Sequence, residues 1–499
     1  MKLKDLLHDI VPHQDMPDID ITSVCSDSRR VIAGSLFFAV PGSTYDGSRF
    51  IATALKGGAV AIIHQTKDEL NASIPHIHVA DVRNVLAHAA SRFFNNPSEQ
   101  LYLCGITGTN GKTTLTYILE KFWEEKISGI IGTINFRYAT HVLKAPNTTP
   151  DAITIQELLS QMVKCNVTHV AMEVSSHGLE QKRVVANHFN ACVFTNLTQD
   201  HLDYHSDMES YYQAKKLLFS ESLPQSSKKN KLAVVDGDDS YGQRLIAELT
   251  EQDYTTYSYS LTKGNVSVNN ATYSLKGTEA LLNYKGKEIQ LKTNLIGAHN
   301  LKNVMAALLI GEHSGIALET MLEKLKNIHV PGRLELVKNT RCFIDYAHTP
   351  DAFNNVLPAI KKVMTDSQST GRLIVVFGCG GDRDKKKRPL MGEAVAKQAD
   401  VSVVTSDNPR TEKPDDIIGH ILPGVEKRHD TYDGFRGYLV EPSRRKAIEQ
   451  ALALALPEDV VLIAGKGHEN YQIIGTHRFH FDDKEVVTEW LEKKLKNEA

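Results

Sequence analysis

Short apolar runs alternate with amphipathic segments through the middle of the chain. The runs at 101–107, 167–174 and 191–196 are almost wholly apolar, and the first leads through a glycine turn into a segment with helical spacing at 112–125. Runs of this length and composition predict strands buried on both faces of a sheet. Their alternation with helices predicts a parallel sheet covered by helices on both sides.

The residues before this region form a separate block. Strand-like runs at 36–40 and 59–63 flank a short helical segment at 50–58 that ends in glycines. The Asn95-Asn96-Pro97 sequence closes the block, and a smaller N-terminal α/β domain is therefore predicted over residues 1–98.

Residues 254–296 interrupt this rhythm. Apolar and polar residues alternate there and glycines break the runs, a pattern typical of antiparallel hairpins. We expect a small antiparallel sheet attached to the central domain. A helix at about 300–313 returns to the α/β pattern and leads to the sequence Val330-Pro331-Gly332-Arg333, which is predicted to join two domains.

A second parallel-sheet domain is predicted beyond this joint. Apolar runs at 342–345, 372–378, 401–405 and 459–464 alternate with helical segments. The predicted fold class is thus α/β with three domains: an N-terminal domain, a central phosphate-loop domain over 99–332, and a Rossmann-like C-terminal domain over 333–499.

Composition supports a globular chain and excludes some partners. The 499 residues correspond to roughly three domains of ~150 residues. Lys plus Arg is 57 and Asp plus Glu is 60, a net charge of −3, so no overall positive field exists for binding nucleic acid. The apolar runs are shorter than the ~20 residues that cross a bilayer, and the six cysteines form no CxxC pair. We expect a cytoplasmic protein that neither binds nucleic acid nor inserts into a membrane.

The strongest local motif is a glycine-rich turn between a buried strand and a helix. Such a turn lets backbone N–H groups converge on phosphate oxygens at a helix N-terminus. The lysine would reach the β- and γ-phosphates and the first threonine after it would bind Mg²⁺. An ordinary glycine turn is the alternative, which the context and the GKTT ending disfavour. The predicted nucleotide-binding residues here are Gly108, Thr109, Asn110, Gly111, Lys112, Thr113 and Thr114.

A second Gly-Lys pair, Gly465-Lys466, also follows a strand. It lacks the upstream glycine and the hydroxyl after lysine, so it is not predicted to be another phosphate loop.

Acidic and histidine side chains follow two other strands. Glu173 ends one strand, and Asp200, His201, Asp203 and His205 cluster just after another. Such a cluster alone is as typical of a polar surface loop as of a metal site. Because the carboxyl ends of parallel strands share one sheet edge, these residues are expected beside the phosphate loop, where a metal site is favoured.

Ten motifs occur in an order that resembles the Mur ligase family. They are TGTNGKTT, NTTPD, MEVSSHGL, TNLTQDHLDYH, GAHNLKN, PGR, DYAHTPD, FGCGGDRD, SDNPR and AGKGHE, and the resemblance runs from about residue 27 to Glu469. The family consists of ATP-dependent amino-acid ligases of peptidoglycan synthesis. The chain is most similar to the member that adds meso-2,6-diaminopimelate to UDP-N-acetylmuramoyl-L-alanyl-D-glutamate.

The resemblance implies an acyl-phosphate mechanism with ATP as co-substrate and two Mg²⁺ ions. Lys112 would steady the transferred phosphoryl group, and Thr113, Glu173 and His201 would bind metal. Lys215 matches a lysine that is carbamylated in this family, and a carbamate would be an anionic metal ligand where an ammonium would be repelled. Lys216 is the neighbouring alternative.

The remaining site residues also follow from the resemblance. Further nucleotide contacts would be Asn303, Arg333, Asp345 and His348. The muramoyl nucleotide would be bound by Ser28, Ser43, Thr44, Tyr45, Asn147, Thr148, Thr149, Ser175, Gln181 and Arg183. Diaminopimelate would be bound by Arg383, Asp407, Asn408, Pro409, Arg410, Gly465 and Glu469.

Arg410 is predicted to select the amino acid. Diaminopimelate differs from lysine by a second carboxylate, which a guanidinium binds through two parallel hydrogen bonds. A lysine-adding sibling and a folylpolyglutamate synthase are the nearest alternatives, disfavoured by the DNPR sequence and by the N-terminal DSRR segment. A phosphate-loop switch protein or a nucleotide-binding scaffold without turnover would leave Arg383, Arg410 and Glu469 unexplained.

Overall fold

A parallel sheet forms the N-terminal region. The computed structural model describes residues 1–11, 16–42, 46–66, 73–124, 127–200, 204–250 and 252–498. Strands pair in the order β1 (Ser23–Cys25), β2 (Ser35–Phe38), β3 (Ala59–His64) and β4 (His76–His78). Helices α1 (Leu3–Leu7), α2 (Ile51–Lys56) and α3 (Val82–Phe93) cover this sheet. The strands predicted at 36–40 and 59–63 are confirmed.

The central region is built on one long sheet. Its strands are β5 (Tyr102–Thr107), β6 (Ser128–Ile131), β7 (Asn135–Tyr138), β8 (His141–Lys144), β9 (His169–Glu173), β10 (Ala191–Phe194), β11 (Leu232–Asp236), β12 (Thr255–Ser260), β13 (Val266–Ser274), β14 (Gly277–Tyr284) and β15 (Lys287–Thr293). They lie in the order β15-β14-β13-β12-β11-β10-β5-β9-β6-β7-β8. The middle of the sheet is parallel, and antiparallel strands extend it at both ends.

Two details of this sheet differ from the sequence-based expectation. Strand β12 pairs in parallel with β11 and so belongs to the main sheet rather than to a hairpin. Its alternation of tyrosine and serine does not match its burial, since only its last residues, Tyr259 and Ser260, are buried. The hairpin β7–β8 was not predicted, since the residues of β8 are all exposed and carry no buried pattern.

Helices cover both faces of the central sheet. They are α4 (Lys112–Trp123), α5 (Ala152–Lys164), α6 (Ser176–Glu180), α7 (Met208–Leu217), α8 (Leu223–Gln225), α9 (Ser240–Glu248), α10 (Ala298–His313) and α11 (Leu318–Lys324). One apolar core lies between the sheet and helices α4 and α10, around Phe122 and Trp123. The opposite core contains Leu159 from α5 and Tyr212 from α7. This two-sided burial explains why the parallel strands are almost wholly apolar.

The C-terminal region has a third sheet. Its strands are β16 (Glu335–Leu336), β17 (Cys342–Asp345), β18 (Leu373–Phe377), β19 (Val401–Val404), β20 (Gly437–Val440) and β21 (Val460–Ala464), in the order β16-β17-β21-β18-β19-β20. The hairpin β22 (Tyr471–Ile474) and β23 (His477–His480) is separate. Helices α12 (Pro350–Asp366), α13 (Lys387–Ala396), α14 (Pro414–Val425), α15 (Arg444–Leu454) and α16 (Asp483–Glu498) complete the region. Within the six-stranded sheet all pairs except β16–β17 are parallel, so the predicted α/β class is confirmed.

The carboxyl ends of the central and C-terminal strands border the same space. Residues that follow β5, β10, β17, β19 and β21 line one cavity between the two sheets. In parallel α/β sheets this edge is where ligands bind. None of the helices in the described part of the chain is both long and apolar enough to cross a membrane. All six cysteines are free thiols.

Candidate active site

The turn between β5 and α4 depends on its two glycines. Gly108 and Gly111 have φ values of +141° and +92°, in the region that L-side chains rarely adopt. A Cβ at Gly108 would overlap Oγ1 of Thr195, and a Cβ at Gly111 would lie 2.5 Å from Oδ1 of Asn303. The turn is therefore packed closely between the loop after β10 and helix α10. Its backbone N–H groups stand at the N-terminus of α4, as a phosphate loop requires.

Lys112 folds back over this loop. Its Nζ donates hydrogen bonds to the carbonyl oxygens of Gly108 at 2.7 Å and Thr109 at 2.9 Å. Burial lowers the pKa of Lys112, and the nearby carboxylates of Glu173 and Asp200 oppose this shift. The amine is thus held at the centre of the loop, where it can meet a phosphate.

Lys215 approaches the same loop from helix α7. It is 1% exposed, and its Nζ donates a 3.0 Å hydrogen bond to the Gly108 carbonyl oxygen. Burial, followed by repulsion from Lys112, lowers the pKa of Lys215 well below its usual 10.5. The adjacent Lys216 instead pairs with Glu248 at 2.8 Å. Of the two predicted alternatives, Lys215 is the one whose amine contacts the phosphate loop.

Glu173 ends strand β9 and is 1% exposed. Its carboxylate accepts hydrogen bonds from the backbone N–H of Thr133 at 3.1 Å and from the Thr133 hydroxyl at 2.8 Å. The Thr133 hydroxyl also lies 3.0 Å from that of Thr148, and Thr149 donates to the Glu173 carbonyl oxygen. These contacts fix the carboxylate at the cavity wall.

Hard oxygen donors line the cavity beside the phosphate loop. Thr113, Glu173 and Asp200 all reach it, and hydroxyl and carboxylate oxygens are the ligands that Mg²⁺ prefers. Within the described ranges, no three His, Cys, Asp or Glu side chains are grouped so as to hold a metal by themselves. His201, the predicted further ligand, lies outside those ranges. The donors present fit Mg²⁺, provided that phosphate oxygens or water complete its shell.

A second polar network extends from Thr148 and Thr149 towards the N-terminal sheet. Arg183 donates hydrogen bonds to the Thr149 carbonyl oxygen at 2.6 Å and to Oε1 of Gln181 at 2.7 Å. The Ser175 N–H donates to the Thr149 hydroxyl at 2.9 Å, and the Ser175 hydroxyl caps helix α6. Four of the predicted muramoyl-nucleotide residues, Thr149, Ser175, Gln181 and Arg183, therefore lie together.

The other predicted residues of this group are more dispersed. Asn147 is exposed beside Thr148, and Ser28 begins a short turn after β1. Next to Arg183, Lys182 pairs with Asp81 at the start of α3, which joins this network to the N-terminal region. Ser43, Thr44 and Tyr45 lie outside the described residues.

The cavity between the central and C-terminal sheets has a volume of about 870 Å³. Gly108, Lys215 and Pro409 lie outside its lining, as do Ser28, Asn147, Thr149, Ser175, Gln181 and Arg183 of the predicted muramoyl-nucleotide residues that the structure describes. The predicted residues that do line it are Thr109, Asn110, Gly111, Lys112, Thr113, Thr114, Thr148, Glu173, Asn303, Arg333, Asp345, His348, Arg383, Asp407, Asn408, Arg410, Gly465 and Glu469.

Asp345 shapes the joint between the two sheets. Its Oδ2 accepts a 2.7 Å hydrogen bond from the Leu334 N–H, and its Oδ1 accepts a 2.8 Å bond from the Ala347 N–H. Burial raises the pKa of this carboxyl, although Arg333 acts in the opposite direction. The Arg333 guanidinium lies 4.8 Å above the Tyr346 ring. Asp345 thus fixes the backbone that presents Arg333 to the cavity.

His348 lies in the same segment. Its Nδ1 is 2.8 Å from the Tyr346 carbonyl oxygen, and burial lowers the pKa of its imidazole. The ring is therefore neutral near pH 7 and is oriented by the backbone. Asn303 lines the same cavity from α10, next to the phosphate loop.

Arg410 stands at the far end of the cavity. Its φ is +51°, a strained value that two backbone hydrogen bonds to the β22–β23 hairpin maintain. The Arg410 N–H donates to the Ile473 carbonyl oxygen, and the Gly475 N–H donates to the Arg410 carbonyl oxygen. The guanidinium donates to the Gly381 carbonyl oxygen at 2.8 Å. Its position is therefore set by two loops.

The other predicted amino-acid contacts surround Arg410. Asn408 Nδ2 donates a 2.9 Å hydrogen bond to Oε2 of Glu469. A Cβ at Gly465 would lie 3.0 Å from Oδ2 of Asp407, so that glycine permits close packing. Arg383 is exposed at the cavity rim.

Three features in or next to the cavity were missed in the sequence. Asp351, in the first turn of α12, accepts a hydrogen bond from Asn110 of the phosphate loop. Lys302 pairs with Asp236 at 2.6 Å at the wall formed by α10 and β11. Lys466 is fully buried beneath Asn408 and Glu469. The only signal in the sequence was the carboxylate of Asp351, which follows Thr349 and Pro350. It predicts the start of a helix rather than a contact with the phosphate loop.

Taken together, a three-sheet α/β architecture and a phosphate loop that faces a second Rossmann-like sheet define a nucleotide-dependent ligase fold. Three family profiles match the chain: "Mur ligase family, catalytic domain" over 20–94, "Mur ligase middle domain" over 106–311, and "Mur ligase, glutamate ligase domain" over 332–467. The chain belongs to the Mur ligase family.

Full-length relatives carry one common name. The UDP-N-acetylmuramoyl-L-alanyl-D-glutamate–2,6-diaminopimelate ligase of Geobacter sulfurreducens is 40% identical over 504 residues and covers 97% of both chains. The protein of that name from Aquifex aeolicus is 41% identical over 475 residues, with 94% of both covered. A solved structure of a ligase with this name is 32% identical, with a TM-score of 0.72 over 99% of both chains.

More distant structures share the fold alone. MurF from Acinetobacter baumannii is 17% identical, with a TM-score of 0.62 over 96% of this chain and 95% of that one. A folylpolyglutamate synthase from Mycobacterium tuberculosis is 17% identical, with a TM-score of 0.61, and matches 76% of this chain and 91% of its own.

Proposed function

We propose that the protein is the ATP-dependent ligase that adds meso-2,6-diaminopimelate to UDP-N-acetylmuramoyl-L-alanyl-D-glutamate in peptidoglycan precursor synthesis. The observation that supports this most strongly is the single cavity that joins the phosphate loop to the Asn408–Arg410–Glu469 group. A ligase needs both the activating nucleotide and the amine at one acceptor carboxylate. The names of the full-length relatives agree with this assignment.

The reaction requires activation of the acceptor carboxylate because hydroxide is a poor leaving group. A side-chain carboxylate oxygen of D-glutamate attacks the γ-phosphorus of ATP, and the bond to the β-phosphate oxygen breaks to release ADP. The diaminopimelate amine then attacks the acyl carbon. Phosphate leaves with the former carboxylate oxygen, and the amine loses a proton. Lys112 and the N–H groups of the phosphate loop would hold the transferred phosphoryl group.

Mg²⁺ is part of the proposal, with two ions expected. Thr113, Glu173, His201 and a carbamate on Lys215 would hold them, and the bound ions would neutralise charge on the phosphoryl oxygens. Carbamylation needs an uncharged amine that can add carbon dioxide. The lowered pKa of Lys215 supports that modification, and its contact with Gly108 places it beside the phosphate loop.

The muramoyl nucleotide would bind at the polar network that adjoins the cavity at Thr148, and the amino acid would bind within the cavity. The network of Thr149, Ser175, Gln181 and Arg183 would bind the muramoyl dipeptide together with Asn147 and Thr148, and the N-terminal residues Ser28, Ser43, Thr44 and Tyr45 would contact the uridine nucleotide.

The C-terminal group would bind diaminopimelate. Arg410 would bind the carboxylate that lysine lacks. Glu469 and Asn408 would bind the amino-acid end of diaminopimelate. The other residues proposed to contact this substrate are Asp407, Pro409, Gly465 and Arg383. The domain boundaries at 98 and 332 and a cytoplasmic location are part of the same proposal.

An isotope experiment tests this mechanism. The muramoyl dipeptide is labelled with ¹⁸O in its D-glutamyl side-chain carboxylate and incubated with ATP, Mg²⁺ and diaminopimelate. One labelled oxygen should appear in each phosphate released, and the tripeptide product should form in equal amount. Phosphate release without an amine and without label transfer would instead indicate a nucleotide-hydrolysing switch protein.

A further inference from the structure

Lys466 is a fully buried cation beneath the proposed amino-acid site. It is 0% exposed and directly follows Gly465, where β21 ends. Its Nζ donates hydrogen bonds to Oδ1 of Asn408 at 3.3 Å and to Oε2 of Glu469 at 3.2 Å. It also lies 3.6 Å from Oδ1 of Asp407. One amine therefore contacts three side chains that are proposed to bind diaminopimelate.

These contacts fix the orientation of the Asn408 amide. Its Oδ1 accepts hydrogen bonds from Lys466 and from the Ile473 N–H, the latter at 2.9 Å, so Nδ2 must be the group that faces Glu469. That Nδ2 donates to Glu469 Oε2. The same carboxylate oxygen therefore receives one hydrogen bond from an amide and another from an ammonium, which restricts how Glu469 can rotate.

Lys466 also determines the net charge of the cluster that it forms with Asp407 and Glu469. Asp407 and Glu469 carry two negative charges when ionised, and the single ammonium leaves a net charge of −1. Since the interior screens charges weakly, removal of the cation would leave the buried carboxylate of Asp407 and the partly buried carboxylate of Glu469 to repel each other. A net charge of −1 complements one substrate ammonium.

The surroundings of Lys466 exclude the role that lysine has in a phosphate loop. Its amine is directed at carboxylate and amide oxygens of its own chain and is not among the groups that line the cavity. A phosphate would meet Asp407 and Glu469 before it met the ammonium.

We propose that Lys466 is a positioning residue for the amino-acid substrate, which holds Asn408 and Glu469 in the orientation that binds the diaminopimelate ammonium. The inference rests on the proposed function. It extends that function to a residue that does not touch the substrate, and it predicts an effect on binding of the amine rather than on binding of ATP.

Steady-state kinetics of Lys466→Met and Lys466→Arg test this inference. Methionine fills a similar volume without charge, and we expect the KM for diaminopimelate to rise at least about tenfold, as for loss of charge-assisted hydrogen bonds. The KM for ATP should change less than twofold. The Lys466→Arg variant keeps a cation at this position, and its KM for diaminopimelate should remain within about threefold of wild type. Lys427→Met, which removes a surface partner of Glu393, is the matched control and should leave all constants unchanged.

Two results would overturn the inference. One is an unchanged KM for diaminopimelate in Lys466→Met, and the other is equal loss in Lys466→Arg and Lys466→Met, which would indicate packing alone. Should Lys466→Met fail to fold, Lys466→Gln is measured under the same criteria. Failure of the proposed function is distinguishable, because the wild-type protein would then form no product with diaminopimelate.

Discussion

The side-chain amide of Asn110, within the phosphate loop, donates a 2.9 Å hydrogen bond to the carboxylate of Asp351 in the first turn of α12. The Thr198 hydroxyl donates to the same carboxylate oxygen at 2.7 Å. One carboxylate of the C-terminal region thus joins two loops of the central sheet. This contact couples the position of the nucleotide loop to that of the amino-acid region.

Replacement of Asp351 by alanine should loosen this connection. Two partly buried donors lose their acceptor, so we expect a roughly three- to tenfold rise in the KM for ATP and a loss of about 1–2 kcal/mol in the free energy of unfolding. Asn355→Ala is the matched control, because Asn355 bonds to the same carboxylate from within α12 and not from the central sheet. Steady-state kinetics and urea unfolding check both values. Equal effects of the two variants would refute a coupling between the sheets.

Lys215 should be essential as a carbamate. We expect Lys215→Met and Lys215→Arg each to lower kcat by at least about 100-fold, since neither can supply an anionic ligand beside the phosphate loop. Lys216→Met, which loses only its pair with Glu248, should stay near wild type. Wild-type protein depleted of carbon dioxide should lose activity and regain it when bicarbonate is added. Full activity of Lys215→Arg would contradict the carbamate.

His468 should make the protein sensitive to mild acid. Burial, together with Arg333 and Lys466, lowers the pKa of its imidazole to about 4 from a usual 6.5. Between these two values the unfolded chain binds a proton that the folded protein does not. The free energy of unfolding must therefore fall as the pH drops from 6.5 towards 4.

The matched variants are His468→Gln and His477→Gln. The first should reduce this pH-dependent loss by on the order of 1–2 kcal/mol between pH 7 and pH 4.5. The second replaces an exposed histidine of β23 and should leave the slope unchanged. Urea unfolding at the two pH values gives the comparison, and identical slopes for wild type and His468→Gln would count against a buried neutral imidazole.

Features that depend on local sequence were predictable. The phosphate loop follows from the spacing of Gly108, Gly111 and Lys112 between a buried strand and a helix, and the structure has a strand and a helix at those places. Strands β17, β18, β19 and β21 of the C-terminal sheet were predicted because burial on both faces leaves them apolar, whereas the two-residue strand β16 was missed. Strand β20 was missed because its residues are only partly buried.

Features that depend on tertiary packing were not predictable. Lysine is usually exposed, so nothing in the sequence around Lys466 shows that its side chain is enclosed by Asp407, Asn408 and Glu469. The contact between Asn110 and Asp351 joins residues 241 positions apart and exists only when two sheets face each other. The burial of Lys215, in contrast to the pairing of Lys216 with Glu248, likewise became clear only from the structure, because a helical pattern of two adjacent lysines does not reveal it.

The most direct test of the account compares meso-diaminopimelate with lysine as the amine for wild-type protein, Arg410→Ala and Arg383→Ala. Amide product is measured by mass spectrometry with ATP and the muramoyl dipeptide present. We expect wild type to use diaminopimelate and exclude lysine, Arg410→Ala to lose at least about 100-fold in kcat/KM for diaminopimelate, and the exposed Arg383 to contribute less. Equal use of both amines by wild type, or an unchanged kcat/KM in Arg410→Ala, would contradict the account.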